Sequence, residues 1–167
     1  PMVYNNIGNV YDNLGDYQKA IQYLSKSLDL YKKEGDQKGI ALALNNIGIS
    51  YSHIGDFSKS LNHHFQALKL YKKINNQKGI IDVYNNIGTV YKNLKNYEQA
   101  SDYYNKALKK SQSMNYLKVM GFCYNNIALI SAKNKNYEKA LSHYFKALEI
   151  ARKLQNRKKQ IYRMRCG

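Results

Sequence analysis

The tetrapeptide Asn-Asn-Ile-Gly begins at Asn5, Asn45 and Asn85, and returns as Asn-Asn-Ile-Ala at Asn125, a step of 40 residues each time. A fixed period in this range means stacked copies of one small unit, none of which can bury its apolar face alone. Equivalent positions in such a stack line up in space, so four separate amide pairs become a ladder. The repeat therefore constrains both the fold and the place where a function can sit.

Each copy reads as two helices. Tyr4, Ile7, Gly8 and Tyr11 fall on one helical face. Gly15 then offers the left-handed conformation that ends a helix, and Asp16 can cap the next one by accepting from free backbone amides. The second helix carries Tyr17, Ala20, Ile21, Leu24, Leu28 and Tyr31 on its apolar side and closes at Lys32-Lys33-Glu34-Gly35. Gly55-Asp56, Asn96-Tyr97 and Asn136-Tyr137 mark the same turn in later copies, with Asn96 and Gln99 spaced as a capping box. Lys95 and Lys135 stand where the turn glycine is expected, which makes those turns less favourable. The only proline is Pro1, so nothing interrupts the helices.

The small residues Gly8, Gly48, Gly88 and Ala128, facing Ala20, Ser60, Ala100 and Ala140, follow a known pattern. So do Ser27, Ala67, Ala107 and Ala147, and the large set Tyr11, Tyr51, Tyr91 with Leu24, His64, Tyr104 and Tyr144. Over essentially its whole length the chain resembles the tetratricopeptide repeat family. The 40-residue variant is similar to repeats of kinesin light chains, spindle-orientation adaptors and bacterial signalling proteins, including peptide-sensing regulators. Asp36-Gln37-Lys38-Gly39-Ile40 inclines the likeness toward the bacterial group. Ser131 in an aromatic position, His64 in another, and the missing proline after each second helix depart from the family pattern. The resemblance implies an all-α, right-handed superhelix of four helix-turn-helix repeats, 1–36, 37–76, 77–116 and 117–156, with 157–167 starting a further first helix. It reads as one domain cut from a longer protein.

The resemblance also implies that first helices line a concave groove. Positions opposite the packing face then point into it: Asn5, Asn6, Asn9 in copy one; Asn45, Asn46, Ile49, His53 in copy two; Asn85, Asn86, Lys92, Asn93 in copy three; Asn125, Asn126, Leu129, Lys133 in copy four. Asparagine is a mediocre helix former, so two per copy call for a reason. A carboxamide offers an acceptor and two donor hydrogens, which matches an extended peptide backbone. In the families named, asparagines of this kind hold bound peptides, and the second Asn of each pair is the sharper candidate. Two plainer readings stand beside this one: an Asn can bond neighbouring helices inside the stack, or duplicated sequence can keep ancestral residues.

The 167 residues carry 27 Lys+Arg against 11 Asp+Glu, a net charge of +16. Such a field favours acidic partners. Lys38, Lys78, Lys118 and Lys158 form a second ladder at the start of successive first helices, where a basic rim would add attraction for an acidic ligand. Each also reads as an ordinary solvated lysine. Nucleic acid enters on charge alone as a third, weaker reading, but most lysines sit on second helices and the tyrosines recur at core phase. Cys123 and Cys166 have no metal or redox spacing, the histidines gather no ligand set, and no nucleophile–base pattern or phosphate loop occurs. The expectation is a non-enzymatic scaffold, without cofactor or metal, in the cytoplasm and off the membrane. It would bind an acidic peptide or protein, or hold a neighbouring domain of its own protein in a signalling role. End-to-end self-association is a further expectation, because truncated stacks expose apolar ends.

Overall fold

The structure, a computed structural model, describes residues 1–166, with side-chain surroundings through Arg157. Eight helices run in order: α1 (Met2–Asn13), α2 (Tyr17–Glu34), α3 (Gln37–His53), α4 (Phe57–Lys73), α5 (Gln77–Asn93), α6 (Tyr97–Ser113), α7 (Leu117–Lys133) and α8 (Tyr137–Cys166). No strand occurs among the described residues. The chain is an all-α solenoid of four helix-turn-helix units.

Caps recur every half unit. Asp16, Asp36, Asp56, Asn76 and Asn96 each accept a bond from a backbone N–H in the first turn that follows, and Asn136 does so from Lys139. Tyr116 breaks the series and makes no side-chain cap. Within units the turn residue has positive φ: Gly15 at 82°, Gly55 at 83°, Lys95 at 61° and Lys135 at 59°. The two lysines sit in a region that costs a side-chain-bearing residue roughly 1 kcal/mol or more. Between units the left-handed position is held by Gly35, Asn75 and Asn115, residue types that tolerate it.

At the fourth such boundary the expectation fails. α8 continues unbroken to Cys166, so residues 157–166 extend the second helix of unit four and do not begin a further one. The residue one step on from Asn115 is Gln155. Glutamine favours the helix interior and has no preference for left-handed φ, so the stop signal is missing.

Packing explains the shape. The second helices α2, α4 and α6 each lie between the first helix of their own unit and that of the next, while α8 packs on α7. Backbones of successive first helices also approach one another, α1 to α3, α3 to α5 and α5 to α7, while those of second helices stay apart. First helices therefore line the inner, concave side. Two apolar clusters, one across α2–α5 and one across α5–α8, share the flanking Tyr84 and Tyr91 and make one continuous core.

The seams between units use a large-into-small fit. A Cβ on Gly39 would lie 2.2 Å from the Tyr31 ring, and one on Gly79 would lie 2.5 Å from the Tyr71 ring. In the third seam the pair is reversed: the equivalent residues are Ser111 and Val119, both buried. Gly79→Val should therefore lower stability by about 3 kcal/mol through overpacking. Tyr71→Ser in the same chain, which copies the third seam, should recover part of that loss. Urea denaturation of both single variants and the double variant checks the coupling; simple additivity would contradict it.

Candidate functional site

The Asn pairs divide between two environments. Asn5 and Asn45 are buried. The Asn46 Nδ2 donates to Asn5 Oδ1 at 3.1 Å, and the Asn86 Nδ2 donates to Asn45 Oδ1 at 3.1 Å. The second Asn of one unit thus bonds the first Asn of the unit before it. Asn5 and Asn45, expected in the groove, are instead inter-unit joints: α1, α3 and α5 pack too closely there for a ligand to enter. Asn85 is half-buried, and its Oδ1 is the nearest acceptor for the Cys123 thiol at 3.8 Å. Asn125 is exposed at the open end of the stack.

The second asparagines keep a free side. Asn46 and Asn86 are half-buried, and each spends one donor hydrogen on its neighbour. The carbonyl oxygen and second hydrogen remain for a ligand. Asn126 differs: its Nδ2 donates to Phe122 O at 3.0 Å, and its Oδ1 accepts from Lys92 Nζ at 2.9 Å. Asn6 is exposed with no side-chain partner among the described residues.

Two clefts lie along the concave side. One, of about 430 Å³, is lined by Asn9, Asp12, Asn13, Asn46, Ile49 and His53. The other, of about 330 Å³, is lined by Ile49, Ser52, His53, His64, Asn86, Thr89, Val90 and Asn93. They share Ile49 and His53, so they form one strip across units one to three. The structure thus brings together Asn9, Asn46, Ile49, His53, Asn86 and Asn93. Lys92 stands half-buried beside the strip, and Leu129 and Lys133 are exposed farther along α7.

The charges along this strip differ. Asp12 is met by the Ser50 hydroxyl at 2.7 Å and the His53 ring at 3.2 Å. Lys92 contacts no acid among the described residues, and burial lowers the affinity of its amine for a proton. Of the rim lysines, Lys38, Lys78 and Lys118 are exposed; the side chain of Lys158 lies outside the described residues. Lys78 and Lys118 flank Asp82, whose carboxyl burial pushes above the ordinary range while the Tyr116 hydroxyl and these lysines pull it down. That acid offsets part of the rim charge locally. No three His, Cys, Asp or Glu side chains gather to hold a metal among the described residues, and no described helix is long and apolar enough to cross a membrane.

His64 occupies the slot filled by Leu24, Tyr104 and, one unit on, Tyr144. Its Nδ1 lies 3.1 Å from Asn45 Oδ1, so the ring donates there as the Nδ1–H tautomer. Its Nε2 is buried with no partner among the described residues. In unit three the Tyr104 hydroxyl meets Thr89 at 3.1 Å, but the matching residue in unit two is Ile49, which has no hydroxyl. The sequence signal was a polar ring in an apolar slot one helix away from Asn45.

Residues 1–73, 81–113 and 123–154 match tetratricopeptide repeat family models. No curated protein matches the chain in sequence. Among solved structures it is similar to the apo form of RapI, at 20% identity and a TM-score of 0.82, over 92% of this chain and 56% of that one. It is similar to a Rap protein complexed with Competence and Sporulation Factor, at 21% identity and a TM-score of 0.83, over 89% of this chain and 42% of that one. A signal transduction ATPase with a tetratricopeptide repeat sensor from Pyrococcus horikoshii is 22% identical with a TM-score of 0.79, over 95% of this chain and 25% of that one. The chain thus spans less than two thirds of these proteins, and at such identities the likeness is one of fold.

Burial holds His64 neutral, with its pKa pulled down to about 3. The unfolded chain binds that proton near the ordinary value of about 6.5. Stability from this group is therefore complete above pH 6.5 and is lost as pH falls toward the folded value. At pH 5 the loss is on the order of 2 kcal/mol. His64→Leu, which copies Leu24, should remove this acid sensitivity. Thermal melts of both chains between pH 7.5 and 4.5 check it; parallel pH profiles would contradict it.

Proposed function

We propose that this chain, which belongs to the tetratricopeptide repeat family, holds an extended, acidic peptide segment along its concave face. The observation that carries this reading is the strip of two clefts joined at Ile49 and His53, edged by Asn46 and Asn86 with unspent amide groups. An extended backbone presents alternating C=O and N–H groups that such amides can match. Ile49 and Leu129 offer apolar contact for side chains between them. Lys92 has no acidic partner among the described residues, and a ligand carboxylate would supply one. The net charge of +16 would speed the encounter of an acidic segment. A Rap protein of similar fold has been seen holding a factor, which supports a binding role for this kind of stack.

A second reading is that the groove serves as the sensing or regulatory region of a larger signalling protein. The ATPase of similar fold, of which this chain matches a quarter, carries its repeats as a sensor.

The inter-unit bonds change which variants test the groove. Ala at Asn46 would strand the Asn5 carbonyl, and Ala at Asn86 would leave the Asn45 carbonyl with His64 alone, lowering stability by about 1 kcal/mol each. Asn9, Asn93, Lys92 and Lys133 are cleaner choices because none carries a bond between two buried groups. A random peptide library selected on this chain should yield sequences rich in Asp and Glu. Lys92→Gln with Lys133→Gln should weaken the selected peptides about ten-fold, and Asn9→Ala with Asn93→Ala should weaken them several-fold, with thermal stability kept. Unchanged affinity in both double variants would contradict groove binding. Selection of neutral or basic peptides would contradict the acidic preference alone.

A further inference from the structure

In each unit one side chain of the second helix lies across the small residue of the first, and the occupant of that slot changes along the stack. Leu24 fills it in unit one and is fully buried, with no polar group to satisfy. Tyr104 fills it in unit three, and its hydroxyl meets the Thr89 hydroxyl at 3.1 Å. His64 fills it in unit two, where Ile49 stands in place of Thr89. The occupant stays polar in unit two, but the partner it would have met is gone.

The tautomer and the facing of the His64 ring follow from its neighbours. Its Nδ1 side faces Gly48, where a Cβ would lie 2.8 Å from Cε1 and 2.9 Å from Nδ1. Asn45 Oδ1 accepts from His64 Nδ1 and from Asn86 Nδ2, each at 3.1 Å. A carbonyl oxygen has no hydrogen to return, so the ring gives its one hydrogen there and Nε2 is left as a bare acceptor. Nε2 is buried and has no partner among the described residues. Burial also holds the ring neutral, so a proton does not take up that lone pair.

The far edge of the ring is the part left to line the cleft of about 330 Å³ between α3 and α5. His64 is 1% exposed, so Nε2 lies at the floor of this cleft rather than on its wall. Above the floor, Ile49 and Val90 offer apolar surface, while the Ser52 hydroxyl and the second amide hydrogen of Asn86 offer donors. An acceptor below and donors above complement a group that carries both kinds. A buried acceptor without a partner is costly, and a donor that reaches it recovers that cost on binding. A carboxamide on a flexible stem has an N–H to give and a C=O to receive. A carboxylate of the same shape has acceptors only, and its charge would face the Nε2 lone pair.

We propose that this cleft is a side-chain subsite, in which a carboxamide side chain of the bound segment, Gln or Asn, gives a hydrogen to His64 Nε2 and takes one from Ser52 or Asn86. The proposal rests on the groove reading for the segment that delivers the side chain, while the chemistry of the subsite stands on His64. Its preference is opposite to that of Lys92: a neutral amide at this floor, an acid beside the lysine.

Propionamide and propionate copy the ends of Gln and Glu with one shape, so they test the subsite without a peptide. Nitrogen NMR of the labelled chain should show the His64 Nε2 resonance move toward that of a hydrogen-bonded ring nitrogen as propionamide is added, and stay in place with propionate. In His64→Leu, which copies Leu24, the backbone resonances of Ser52 and Thr89 should lose their response to propionamide. Ile49→Thr with His64→Tyr, which copies the pair of unit three, should lose it as well, so the outcome does not hang on the folding of one variant. Acidic peptides selected on the original chain should carry Gln or Asn at one fixed position. Exchanging that residue for Glu should weaken binding about ten-fold in the original chain and leave it unchanged in His64→Leu. An Nε2 resonance that ignores propionamide, an equal shift with propionate, an undiminished response in both variants, or selected peptides without a fixed amide position would each overturn the subsite. A chain that takes propionamide at His64 yet holds no acidic peptide would overturn the groove reading and leave the chemistry of the subsite standing.

Discussion

The whole stack depends on one close approach, that of the two helices within a unit at a position with almost no side chain. A Cβ on Gly8 would lie 2.6 Å from Leu24, one on Gly48 2.8 Å from the His64 ring, and one on Gly88 2.9 Å from the Tyr104 ring. Ala128 fills the same position in unit four. With the helices this near, a large side chain on the second helix lies flat across the first and fills the gap without a void. That contact sets the tilt of each pair. The tilt repeats every 40 residues, and the repeated tilt curves the stack so that first helices crowd on the inside.

Crowding of first helices then decides what the asparagines can do. Where α1, α3 and α5 meet, the first Asn of a pair is taken out of water, and a buried amide left unpaired is costly. The second Asn of the next unit supplies the missing partner. In the proposed binding role, structure and recognition would draw on the same residue: one donor hydrogen of Asn46 is fixed in the seam, and the rest of its amide is left for the cleft. A side chain held in this way loses little rotamer freedom when a ligand arrives.

Most of this fold was legible in the sequence because its signals are local and repeated. The capping residues Asp16, Asp56 and Asn96 and the turn residues Gly15 and Lys95 act on their own backbone, so position alone reveals them. The groove strip was legible through phase, which brought Asn9, Asn46, Ile49, His53, Asn86 and Asn93 to one side of the stack. What phase could not show was depth. Asn5 and Asn6 are neighbours on one helix, yet one is buried and the other exposed, because burial depends on the distance to the next unit. The run of α8 past residue 156 was missed for a different reason: a turn was expected from the period, while Gln155 carried no signal to stop.

The third seam departs from the first two, and its departures are linked. Val119 replaces the glycine of the earlier seams, and Ser111 replaces the tyrosine that would have struck it. Cys123 stands where Ala43 and Val83 stood, and its thiol points to the Asn85 carbonyl that Asn126 would otherwise have met. Asn126 is then free to turn, and Lys92 is long enough to reach it, whereas Asp12 and Ser52 at the same phase are too short. The outcome is a groove with a direction. Its first acid is already in hydrogen-bond contact with Ser50 and His53, while its half-buried lysine holds only a neutral amide. A bound carboxylate gains more beside an uncompensated, partly desolvated cation than beside a solvated one, so the third unit, rather than the rim, is the part of the groove best placed to read charge.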